Sequence, residues 1–80
     1  MKRELKEETI LNYLDYLVQI KIAYGSDRCA DHLKYCINGA RTNYSAADMK
    51  RLKAELTRRI PEEYERRIVN GVWKLHDPSK

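Results

Sequence analysis

Phenylalanine is missing from this chain, while tyrosine occurs six times and tryptophan once. A core built for packing alone ordinarily uses Phe. Tyr carries an apolar body and a polar tip, which suits positions between core and water or at interfaces. Cysteine is scarce as well. Cys29 and Cys36 stand about 10.5 Å apart along a helix axis at 1.5 Å per residue, too far for a disulfide. They read as buried free thiols in a reducing compartment. The same separation keeps both sulfurs from sharing one tetrahedral ion. Cys29, His32 and Cys36 therefore read as a core stripe with a flanking histidine, and no metal or other cofactor is expected.

Two histidines give little acid–base capacity. Cys36 and His32 lie one turn apart, but no glycine-rich elbow or oxyanion device accompanies them. No P-loop, dinucleotide fingerprint or HExxH pattern occurs. The chain reads as non-enzymatic, with no small-molecule substrate. Long apolar runs are also missing. The run at 16–24 is too short for a bilayer and is interrupted by Gln19 and Lys21, so no membrane association is expected. The opening MKRELKEE has no apolar signal region, which predicts a cytoplasmic protein.

What is present is a charged, collapsible chain. Of its 80 residues 35% are charged and 42% apolar, with a net charge of +4. This is one small domain near the lower limit of independent folding, so a second copy of the chain or another partner is a candidate for completing its core. The basic excess is concentrated in residues 45–60, which hold five basic and two acidic side chains.

The most apolar stretch is Thr9–Tyr24, TILNYLDYLVQIKIAY. Wound as a helix it has one clearly polar arc, Glu8, Asn12, Asp15 and Gln19, and apolar side chains around the rest. The spacing predicts a central helix over 3–24, stopped by Gly25. A period-2 pattern at 16–24 is compatible with a strand instead, but no other segment reads as its partner. Ser26 reads as the N-cap of a second helix over 27–38, with Cys29, Leu33, Cys36 and Ile37 on its apolar face and Asn38-Gly39 as its stop. Ser45, with Asp48 three residues on, marks the start of a third helix over 46–59. Met49, Leu52, Leu56 and Ile60 form its stripe. Pro61 suits the first position of a fourth helix over 61–70, and residues 76–80 read as a frayed tail. The expected fold is all-α, a small four-helix domain around the hydrophobic N-terminal helix.

Two kinds of binding follow. Tyr13, Tyr16, Ile20, Tyr24, Tyr44 and Trp73 are candidate contacts to another protein, since aromatic anchors dominate such interfaces. Lys50, Arg51, Lys53, Arg58 and Arg59 form a basic face on the third helix and are the candidate contacts to DNA. Protein binding by a small regulator, an adaptor, accessory or inhibitor of bacterial or phage type, is the leading expectation. A DNA-binding transcriptional regulator, dimeric in form, is the alternative. The segments Tyr44-Ser45-Ala46-Ala47-Asp48, Arg51-Leu52, Ala54-Glu55-Leu56-Thr57 and Val72-Trp73-Lys74 resemble the C-terminal half of the Hha family, small helical bacterial proteins that modify a nucleoid silencer. The resemblance implies a nucleoid-associated modulator with Asp48 and nearby basic residues as contacts. It spans less than half of the chain and needs insertions on both sides of Arg51-Leu52. Asn38-Gly39 falls where that family has a long helix, so the resemblance enters only the alternative.

Overall fold

A computed structural model describes residues 2–70. Among the described residues the fold is all-α, with three helices rather than four: α1 Glu7–Tyr24, α2 Ser26–Ala40 and α3 Ala46–Val69. Residues 16–24 belong to α1, so the strand alternative falls. The chain runs up α1, back down α2 and up again along α3. Cys29 of α2 meets Leu17 of α1, while Glu7 and Asp15 of α1 pair with Arg59 and Arg67 of α3. Helix α1 packs against both others, and they touch each other much less. Its central position follows from its sequence: Ile10, Leu14, Leu17 and Val18 are buried together with Leu52, Leu56 and Ile60 of α3 and Cys29 of α2.

The first helix begins four residues later than the helix formers at 3–6 suggest. Residues 2–6 instead form an extended strap across the base of the bundle. The Arg3 amide donates to the Asn43 carbonyl at 2.6 Å. The Leu5 amide donates to the Asp48 carboxylate at 3.4 Å, and the Arg51 guanidinium donates to the Leu5 carbonyl at 3.2 Å. Leu5 itself is 3% exposed. Helical continuation would forfeit that burial and those partners, so tertiary contact overrides local propensity.

Between α1 and α2 a single residue turns the chain. Gly25 has φ +100°, a backbone state that side-chain-bearing residues rarely adopt. It holds the N-cap position of α2, and Ser26 is the first helical residue rather than the cap. Helix α2 also passes through Asn38-Gly39 to Ala40, which is 1% exposed. Burying Ala40 against the core offsets the roughly 1 kcal/mol that a helical glycine costs relative to alanine. Ser45 does cap α3, accepting from the Asp48 amide at 3.2 Å.

The expected third and fourth helices are one. Pro61 sits inside α3, where it removes a backbone hydrogen bond and crowds the carbonyl of Thr57. The helix continues because Ile60 has no side chain to cap a new one, and because Leu52, Leu56, Ile60 and Tyr64 make an unbroken stripe against α1. Pro61 and Thr57 are both on the exposed side, where the orphaned carbonyl can bond water. Arg58 and Glu62 pair across the proline at 3.9 Å. The expected tail at 76–80 lies outside the described residues. None of the described helices is long and apolar enough to cross a membrane.

Candidate functional site

Helices α1 and α2 present a joint face on which the tyrosines collect. Tyr16 is 44% exposed, Tyr24 66% and Tyr35 80%. The Tyr16 hydroxyl and His32 Nδ1 are hydrogen-bonded at 2.7 Å, with the two rings tilted by 58° at 5.7 Å. The Arg28 guanidinium lies 5.4 Å from the centre of the Tyr24 ring, a cation–π distance. Tyr16, Arg28, Asp31, His32 and Tyr35 line one shallow hollow of about 330 Å³. Tyr16 and Tyr35 also border a second, of about 460 Å³, with Tyr13 and Cys36 at its floor. The face therefore runs continuously from Tyr24 to Tyr13.

The sequence explains why these residues meet. On α1, Tyr13, Tyr16, Ile20 and Tyr24 follow at three- and four-residue steps and share one edge. On α2, Arg28, His32 and Tyr35 do the same beside the core stripe. Antiparallel packing sets the two edges side by side. Tyr13 and Ile20 turn inward and pack on the core, whereas Tyr16 and Tyr24 stay open. Tyr44, another candidate, is 7% exposed and belongs to the core. Trp73 lies outside the described residues. Tyr35, His32 and Arg28 are members of the face that the tyrosine edge of α1 alone does not reveal; their own spacing on α2 is the signal.

Two groups at the floor of the second hollow, the Cys36 thiol and the Tyr13 hydroxyl, are held toward their neutral forms. Burial raises the Cys36 thiol above its ordinary pKa, and His32 uses Nδ1 on Tyr16 rather than on sulfur. Burial also raises the Tyr13 hydroxyl, with Tyr44 and Cys36 adding to the shift. Cys29 is equally quiet: its thiol donates to the Leu17 carbonyl at 3.4 Å, and burial raises it while Lys21 pulls the other way.

The basic residues of α3 do not form one surface. Arg58 pairs with Glu55 at 2.7 Å. Arg59 bridges Glu7 at 2.8 Å and Glu55 at 3.1 Å. These contacts lower the Glu55 pKa, the hydrogen bond from Arg58 first among the causes. Arg51 is occupied with the strap. Lys50 and Lys53 lie on another side, at the trough between α2 and α3, and have no ion-pair partner among the described residues.

No family model matches the chain, and no curated protein or solved structure matches it either.

Proposed function

We propose that this chain is a small, non-enzymatic, cytoplasmic regulatory protein that acts by binding another protein through the α1–α2 tyrosine face. The observation that carries the reading is the exposure of Tyr16 and Tyr35 around two hollows, with the exposed Tyr24 beside them against Arg28. Large, stiff aromatic side chains with polar tips supply contact area at low entropic cost, and Tyr and Arg are the residue types that anchor interfaces. Arg28 adds a cation already seated against an aromatic ring. The same face serves equally for a second copy of this chain. The DNA-binding alternative has less support, because Arg58 and Arg59 are neutralised by glutamates and Arg51 holds the strap.

The test is retention of a partner from the native cell on immobilised protein, with and without nuclease. The expected result is a nuclease-resistant protein that is lost when Tyr16 and Tyr35 are both changed to Ala. Retention that depends on nucleic acid and ignores the tyrosines would overturn the reading. Light scattering on the same variants tells a hetero-partner from self-association.

A further inference from the structure

The trough between α2 and α3 is a second, independent feature. It exists because both helices pack on α1 far more than on each other, and because small Ala30 and Ala46 face the gap. Two hollows of about 490 and 360 Å³ share Ile37, Arg41 and Lys53, so they form one groove. Its floor is apolar, with Leu33, Ile37 and Met49 partly buried and Tyr44 beneath them. Its rim carries Lys2, Lys34, Arg41, Lys50 and Lys53, and among the described residues no carboxylate lines either hollow. The Lys2 ammonium is fixed there by the Arg41 and Thr42 carbonyls at 3.1 and 3.4 Å. The whole chain has a net charge of only +4, so five cations around one groove concentrate its basic character.

We propose that this groove binds an acidic amphipathic segment of a partner protein, docked as a helix. The occupant is anionic, because five cations ring the groove and no carboxylate of the described residues lines it, and it carries an apolar ridge, because the floor between them is hydrophobic. The groove runs along α2 from Ala30 to the C-cap residue Arg41, about 16 Å at 1.5 Å per residue. That accommodates about three turns of a helix with anchors at i, i+3, i+4 and i+7. A nucleic-acid backbone matches the rim but leaves the floor unused: among the described residues the one aromatic ring there, Tyr44, is 7% exposed and offers no surface for base stacking.

The experiment is an unbiased selection of 16-residue peptides, displayed against the full chain, followed by fluorescence anisotropy on the enriched sequences. Enrichment of net-acidic peptides with helically spaced apolar residues is expected. Their affinity should fall at least tenfold in the Lys50→Glu/Lys53→Glu variant, whose circular dichroism must match the parent. The Tyr16→Ala/Tyr35→Ala variant should bind them as the parent does. The proposal is overturned if selection yields no acidic amphipathic sequences, or if their binding follows the tyrosine variant instead. It is equally overturned if a random 20-base-pair duplex binds more tightly at 0.15 M salt than the best peptide and is lost in the lysine variant. Dimerisation of the parent that the lysine variant abolishes would assign the groove to a second copy and refute it. Because the tyrosine and lysine variants alter separate surfaces, failure here leaves the tyrosine-face reading to stand or fall by its own test.

Discussion

Replacing Pro61 by Ala should stabilise the protein. Pro61 is interior to α3, with helical residues on both sides. A helix-interior proline costs about 3 kcal/mol relative to alanine, from the lost hydrogen bond and the clash with the preceding turn. Alanine restores the amide that bonds to the Thr57 carbonyl. Against this, removing proline loosens the unfolded chain, which costs about 0.4–1 kcal/mol of stability. Exposure of Thr57 and Pro61 lets water satisfy part of the orphaned carbonyl and trims the gain further. A net stabilisation of about 2 kcal/mol follows from these opposing contributions, or about 8–16 °C in Tm for a domain of this size. Urea and thermal unfolding followed at 222 nm measure it. The alternative architecture, with Pro61 opening a separate helix, predicts the opposite, since proline is well tolerated at that position. No change, or a loss of stability, would refute a continuous α3.

The two described glycines should respond in opposite directions. Gly39→Ala lies in the exposed last turn of α2 with open space around it and should add up to about 1 kcal/mol in denaturant unfolding. Gly25→Ala meets no neighbour but must adopt φ +100°, so it should lose about 1 kcal/mol or more through strain alone. Leu5→Ala empties a site that is 3% exposed; a loss of about 2–4 kcal/mol is expected in the same assay, and a neutral result would mean the strap is not docked. Glu63 has its pKa lowered, by the Arg66 hydrogen bond first and by that of Arg67 as well. A depressed carboxylate contributes stability that is complete above its unfolded pKa and is lost as pH falls through the folded value. Stability measured from pH 6 down to 2 should therefore fall less steeply in Glu63→Gln than in the parent.

Much of the helical order was legible in the chain because it rests on local pattern. The apolar circumference of 9–24, the stripe of Met49, Leu52 and Leu56, and the Ser45 cap all appear in the fold as spacing predicts. What escaped was every boundary decided by distant contacts. Helix formers at 3–6 are drawn into a strap by Asn43, Asp48 and Arg51. Asn38-Gly39 fails to stop α2 because Ala40 gains burial one residue later. Pro61 fails to split α3 because the stripe on either side packs on a single partner. The surfaces follow the same division. The tyrosine edge of α1 was visible as a period, but its α2 half depends on antiparallel packing. The basic side chains of α3 were all visible, but not that glutamates would claim Arg58 and Arg59.

The strap also orders events in time. Leu5 binds residues that lie 43 and 46 positions later in the chain. At the usual 5–20 residues per second of synthesis, about two to nine seconds separate its emergence from theirs. Throughout that interval α1 can wind and α2 can fold back on it, but the base of the bundle stays open. Latching must wait for the start of α3, so a segment made before any of the three helices is among the last to be secured. A nascent chain stalled before Arg51 has no complete seat for Leu5, however well its first two helices have formed.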